Sequence, residues 1–292
     1  MGWKIIEVEN GDSLSLFLNN IVIRRENEKI IIPINDIDVL LINNYKLKLT
    51  VNLINALCDN NVLTVICNSN YMPNANILPI IGNFNTVKVL ENQVNWSQEF
   101  KSSTWRQIIK QKINNQSDLV LNIIKNEETA KKLAELSSEI KDYDISNREG
   151  HASKIYWHSL FGLSFKRHED DYCNQLLNYG YTILRSYLSR SIVKKGLDPR
   201  IALFHKSFHN YFALASDLME PFRVLIDLEV YNLYSIGEVN FYDHKQRLIE
   251  CFNQKIFVDD KKHFVNNAID LFVDAIAIKK ELPVIKLDYE RF

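Results

Sequence analysis

Along residues 3 to about 45, apolar positions fall in short β-branched runs. KIIEV, LSLFLNNIVIRR and EKIIIPI are separated by turn chemistry at Asn10-Gly11-Asp12, Asn19-Asn20 and Glu26-Asn27-Glu28, which predicts a meander of strands. The period then changes. Leu49, Leu53, Ile54 and Leu57 in LTVNLINALCDNN recur at helical spacing, and LTVICN after it reads as a buried strand. Pro73, Pro79 and Gly82 interrupt the pattern, and from Trp96 to Lys280 nearly every stretch repeats with helical period. The expected fold is therefore α+β. A small, sandwich-like β-rich domain with one helix occupies residues 1–88, and a larger all-α domain occupies 89–292, with the boundary between Gly82 and Val94.

Size agrees with two cores: 292 residues, of which 46% are apolar. The 35 Lys and Arg against 36 Asp and Glu give a formal charge of -1, so any basic surface has to be local. Arg185, Arg190, Lys194, Lys195, Arg200 and Lys206 gather around a single acid, Asp198; Lys101, Arg106, Lys110 and Lys112 form a second cluster. Interleaved with Tyr187 and Phe204, the first cluster suits a phosphate backbone, and a solvated helix face explains either cluster as well. Cys58, Cys67, Cys173 and Cys251 are scattered without a C-x-x-C pair, which supports neither a zinc ribbon nor a disulfide framework and predicts a reducing, cytoplasmic setting. MGWKIIEVEN lacks a signal-peptide pattern, and no apolar run approaches a membrane span.

Candidate chemistry concentrates between Gly196 and Asp227, GLDPRIALFHKSFHNYFALASDLMEPFRVLID, a segment that reads as apolar and helix-patterned. It holds His205 and Glu220, polar groups that are costly to bury unless they bind something. A divalent cation would hold them, with Glu149 added from the start of an earlier helix. Glu149, Ala152, Tyr156, Ser159 and Leu163 share one inward stripe, with Lys154 and Tyr156 placed as a phosphate contact and a stacking ring. Two carboxylates and an imidazole suit magnesium or manganese better than a thiol-seeking metal. Other readings stand beside this one. Ser146 and Glu149 match a capping box, His205 fits a satisfied core histidine, and Asp217, Glu220 and Asp227 fit caps or partners of Arg223. His205 and His209 have the spacing of a zinc-binding helix, but Lys206 stands where a metalloprotease needs Glu. Pro221 re-aims the Glu220 carboxylate, either as a kink or as a first helical residue.

NREGHASKIYW, NQLLNYGYTILRS, GLDPR followed by His205, and DLMEPFR, in that order after a strand-rich start, resemble the CRISPR-associated Cas1 family of spacer-acquisition integrases. The likeness is to forms encoded beside a single-protein, type II effector; it covers almost the whole chain and departs from the family pattern at Phe204, Ala213 and Val224. It implies a metal-dependent DNA endonuclease and strand-transfer integrase that joins 3′-hydroxyl ends of captured DNA into the repeat array by phosphodiester transesterification. Glu149, His205 and Glu220 map onto the family's metal ligands and are the expected catalytic residues, with Asp217 and Tyr156 behind them. Expected DNA contacts are Lys154, Arg185, Arg190, Lys194, Arg200, Lys206 and Arg223. Implied partners are pre-spacer duplexes, repeat DNA, a second copy of the chain through the β-domain, a Cas2 dimer and other type II CRISPR proteins. Exchange of one phosphodiester for another needs no nucleotide triphosphate, and the chain has no P-loop motif. Alternatives are His205 acting as general acid to the leaving oxygen, a non-catalytic DNA-end-binding assembly subunit, and a helical interaction scaffold.

Overall fold

The structure, a computed structural model, describes residues 4–26, 28–70, 72–80, 85–205, 210–237 and 241–291, with backbone alone at 241–243 and 291. It divides into two compact units, Met1–Phe84 and Asn85–Phe292.

The first unit holds strands β1 (Lys4–Val8), β2 (Ser13–Phe17), β3 (Asn20–Arg25), β4 (Glu28–Pro33), β5 (Ile37–Ile42), β6 (Lys48–Leu49), β7 (Leu63–Cys67) and β8 (Pro73–Ile77), with helix α1 (Val51–Asp59) between β6 and β7. The expected meander is confined to β2, β3 and β4, which pair antiparallel in a sheet of order β4-β3-β2-β6. β1 leaves it and pairs in parallel with β5, in a second sheet of order β1-β5-β7-β8. The cause is β5: all six of its residues are buried, as in a central strand covered on both faces, so it takes a neighbour on each side. Thr50 caps α1 by accepting from the Leu53 N–H at 3.3 Å, and Leu53 and Leu57, one turn apart, join Leu14, Ile21, Leu40 and Ile42 in the core. β4 is an edge strand, and Ile30 and Ile31 on it are exposed.

The second unit is mostly helical: α2 (Thr86–Val94), α3 (Gln98–Leu119), α4 (Glu127–Ser138), α5 (Arg148–Phe161), α6 (Tyr172–Lys194), α7 (Ala213–Leu218), α8 (Arg223–Ile236), α9 (Phe241–Glu250) and α10 (Val265–Ala277). A β-rich start followed by a helical remainder is the expected fold class. An unforeseen addition is a small antiparallel sheet of β9 (Lys255–Val258), β10 (Lys261–Phe264) and β11 (Ile285–Lys286), in order β10-β9-β11. These strands are too short to interrupt a helical period noticeably. α3 starts at Ser97, whose hydroxyl accepts from the Phe100 N–H at 3.1 Å, and packs against α4, α5 and α8. Trp105, Ile108, Ile109 and Ile113 are buried on it, and so is Lys112.

The helix pattern expected from Gly196 onward is not what forms. α6 ends at Lys194, and Gly196, at φ +81°, closes it: Leu197 N–H reaches Ile192 C=O and Gly196 N–H reaches Val193 C=O, both at 3.0 Å. This left-handed glycine closure satisfies carbonyls that the helix end would leave bare, and Pro199 follows as a stop. Among the described residues helix resumes at α7 and His205 lies on a loop; the expected pairing of His205 with His209, and Lys206, fall on positions outside the described residues. α6 and α8 approach closely at Gly180, where an added Cβ would lie 2.5 Å from Ile226 Cγ2. Only glycine allows that contact, which brings Tyr181 on α6 to Asp227 on α8.

Candidate active site

Glu149 opens α5. The first amides of that helix are held by Asp144, which accepts from Arg148 N–H and Glu149 N–H at 2.8 Å each. Asp144 therefore does the capping that the Ser146 and Glu149 pattern suggested, and the Glu149 carboxylate is left to face Lys112 Nζ at 2.6 Å. Glu220 begins a single 3-10 turn, Glu220–Phe222, between α7 and α8. Pro221 cannot donate, and its carbonyl accepts from Asn115 Nδ2 on α3 at 2.8 Å, so the turn is fixed against the central helix. Glu220 Oε2 lies 2.6 Å from Lys112 Nζ and Oε1 lies 3.0 Å from Arg223. The Glu220 side chain is 3% exposed, Lys112 6% and Glu149 29%.

One buried carboxylate, Glu220, and one half-buried one, Glu149, thus face two cations. Burial pulls the Lys112 ammonium toward deprotonation, but Glu220 and Glu149 outweigh it and hold its pKa above the ordinary value. For Glu220 burial pushes upward, and Arg223 and Lys112 more than reverse it, so its carboxylate stays ionised below the usual range. Charge alone does not separate Lys112 from the other lysines of its cluster. Its signal is position: about four turns along a helix with Trp105, Ile108 and Ile109 on buried faces, a lysine cannot be solvated on all sides.

His205 is set by its loop. Gln93 on α2, fully buried, donates to Asp198 C=O and Ile201 C=O at 2.9 Å each and accepts from Asp198 N–H at 2.7 Å. Asp217 on α7, also fully buried, accepts from the N–H groups of Leu203 at 2.7 Å, Phe204 at 2.9 Å and His205 at 3.3 Å, and from His205 Nδ1. That last bond raises the His205 pKa, against the opposing pull of burial, and leaves Nε2 as the ring nitrogen able to ligate. Phe204 stacks on Trp105 with ring centroids 4.4 Å apart, and His205 meets Trp105 edge-on at 5.8 Å. Gln98, Tyr143, Phe204 and His205 line a cavity of about 480 Å³ at this point.

Asp227 does not join Glu220 and Asp217 on one face, because the chain turns at Pro221. It accepts from Tyr156 OH at 2.9 Å and from Tyr181 OH, deep in the helical unit. Tyr156 is accordingly a buried tether between α5 and α8, not the stacking ring expected beside Glu149. Burial lifts Asp227 to about 6 against the pull of both hydroxyls, from an ordinary value near 4. With a folded pKa above the unfolded one, the folded state binds this proton more tightly. Its contribution to stability is complete below about pH 4 and is lost as pH rises through about 6, on the order of 3 kcal/mol in all. Asp227→Asn is expected to flatten the rise in stability between about pH 7 and about pH 5, as read from urea midpoints. Parallel profiles for the two proteins would show that another group is responsible.

Of the basic residues expected to meet DNA, Lys154 and Arg200 are exposed. Arg185 lies over the Phe212 ring and Arg190 over the Tyr187 ring. Lys194 pairs with Asp270 at 2.6 Å, and Arg200, 67% exposed, forks onto Asp198. Arg223 is not a surface phosphate contact: it is the counter-ion of Glu220 and lies over Tyr181 at 4.8 Å. Arg106 in the second cluster pairs with Asp142 at 3.0 Å. The four cysteines are all free. Among the described residues, no helix is long and apolar enough to cross a membrane.

As the side chains stand, no three His, Cys, Asp or Glu among the described residues converge tightly enough to hold an ion. Glu149 and Glu220 are brought together, but around an ammonium, with His205 held beside them by Asp217. The donors nevertheless fit a divalent cation in kind. Two carboxylates already share one ammonium, Glu220 Oε2 is buried without a hydrogen-bond donor beyond its ionic contact, and the imidazole is oriented by a carboxylate behind it.

Comparison with known proteins decides the family. The model of the family described as CRISPR associated protein Cas1 matches residues 6–256. The chain belongs to the Cas1 family. Among curated Cas1 proteins, the CRISPR-associated endonuclease Cas1 of Neisseria meningitidis serogroup C (strain 8013) is 34% identical over 278 residues, which cover 94% of this chain and 91% of that protein. Two solved structures share the Cas1 fold seen here. A casposase bound to integration product superposes with a TM-score of 0.76 at 22% identity, over 99% of this chain and 93% of that one. A Cas1 protein from Thermotoga maritima superposes with a TM-score of 0.75 at 16% identity, over 96% and 99%.

Proposed function

We propose that this Cas1 protein is a metal-dependent DNA integrase and endonuclease of CRISPR adaptation. The observation that carries the reading is the pairing of Glu149 and Glu220 around one cationic position, with His205 oriented by Asp217 next to them. Magnesium or manganese held by Glu149, His205 and Glu220 supplies Lewis-acid polarisation of a scissile phosphodiester. The rest falls to the chain. Asp217 holds the imidazole in one orientation, Asn115 holds the Glu220 turn, and Arg223 keeps the Glu220 carboxylate ionised in a buried setting. A 3′-oxygen of captured DNA forms a new P–O bond as the bond to the leaving 3′-oxygen breaks, and the proton lost by one hydroxyl is regained by the other. Lys154, Arg185, Arg190 and Arg200 position backbone phosphates, so affinity falls steeply with salt. Lys194 serves more as a partner of Asp270.

Assembly follows the same reading. The exposed isoleucines on the β4 edge support a dimer through the β-rich unit, which then engages a Cas2 dimer. The test uses the full chain with Cas2, a pre-spacer duplex and a supercoiled repeat plasmid. Strand-transfer products are expected with manganese and none with chelator, and light scattering of the chain alone should give twice 34.2 kDa. Joining that proceeds unchanged in chelator would refute metal dependence. DNA binding without joining in any metal would favour the assembly-subunit reading.

A further inference from the structure

Lys112 lies on the central helix α3, outside every motif that carries the family likeness. Its ammonium is 2.6 Å from Glu149 Oε1 and 2.6 Å from Glu220 Oε2, and its side chain is 6% exposed. These are the carboxylates assigned above to a divalent ion, so the inference rests on that reading. A divalent ion held by those carboxylates would compete for the place of the ammonium now bound to them, because two like charges cannot share the position. We infer that Lys112 is the built-in counter-cation of the site: it holds Glu149 and Glu220 together when no metal is bound, and it competes with the metal for both.

The arrangement explains how two acids can be brought together in a buried place before any metal arrives. Without a partner the two like charges would repel. Arg223 makes its ion pair with Glu220 Oε1 and acts on Glu149 only at longer range, so the close partner of Glu149 is Lys112. Loss of Lys112 from Oε2 would not strip Glu220 of its other cation, and a lysine stem, unlike a guanidinium fork, can move its point charge aside. Lys112 is thus a positioning residue that acts through the carboxylates and sets how tightly they take the metal.

The test measures manganese binding to the full chain by calorimetry, without DNA. Lys112→Met keeps the stem and removes the charge. It is expected to bind manganese about tenfold more tightly than the unaltered chain, within the usual range for two coupled ligands. Its melting temperature should fall in chelator and recover with manganese. Equal or weaker binding by a folded Lys112→Met would overturn the inference, because a packing role alone predicts that result. A second measurement needs no variant. Amine labelling of Lys112, followed by peptide mass spectrometry with Lys154 as reference, should be slow in chelator and several-fold faster in saturating manganese. A rate indifferent to manganese would also overturn it. Glu220→Gln separates this inference from the functional reading. If that variant binds manganese as the unaltered chain does, the metal site itself is wrong and the inference falls with it. If Glu220→Gln loses binding but Lys112→Met does not tighten it, only the role of Lys112 is wrong.

Discussion

Replacing Glu220 by alanine is expected to lower strand transfer by about three orders of magnitude or more, because it removes a carboxylate proposed to hold the metal and not merely a residue that orients one. The same change should also weaken the fold. Lys112 and Arg223 would remain, buried, without the carboxylate that both of them face, and breaking a buried pair from one side costs about 3–5 kcal/mol. Glu220→Gln keeps the volume and part of the hydrogen bonding, so it should melt closer to the unaltered chain while losing nearly as much activity. Joining rate and thermal melting, measured on both variants, separate the two consequences. A Glu220→Gln protein that joined DNA at the unaltered rate would refute the site.

Asp217→Ala is expected to have the second largest effect, although Asp217 is assigned no contact with metal or DNA. Its carboxylate accepts from three consecutive backbone amides and from the His205 ring. Alanine would leave those amides without an acceptor at about 1–3 kcal/mol for each one that stays buried, and would release the ring from its orientation. Loss of an orienting carboxylate behind a ligand ordinarily costs about 10–100-fold in metal affinity or activity. Stability should fall by about 3 kcal/mol, and joining by up to about a hundredfold at a manganese level that saturates the unaltered chain. Excess manganese should recover part of the rate, a response that general unfolding would not give. Unchanged melting in Asp217→Ala would mean that the loop is held by something else.

How much of this was visible beforehand depends on what kind of contact each residue makes. Strand runs were legible as β-branched stretches between turn residues, and the helix at Leu53 and Leu57 because one face of it is buried. The parallel pairing of β1 with β5 was not, since alternation says which face is buried and nothing about which strand lies alongside. α3 was legible as a helix but not as the centre of its unit. Trp105, Ile108, Asn115 and Gln116 are buried all round it, and a helix covered on several faces loses the contrast that marks one face as inward. Lys112 was hidden for the same reason and read as one more solvated lysine. Gly196 and Pro199 did announce the end of α6, and helical periodicity beyond them masked the signal. On one straight helix Glu220 and Asp227, seven residues apart, would share a face, but the chain turns at Pro221 and sends the first to Lys112 and the second to Tyr156 and Tyr181.

The segment that carries His205 is gripped by its main chain. Gln93 binds the carbonyls of Asp198 and Ile201, and Asp217 binds the amides of residues 203 to 205. Clamps of this kind are indifferent to which side chains they hold. The path of the backbone is therefore uncoupled from the letters along it, and Phe204 can stack on Trp105 while Asp217 holds the neighbouring histidine. In such a segment, drift in sequence is a poor guide to loss of function; a change at Asp217, or at Gln93 outside every motif that carries the family likeness, is the better warning.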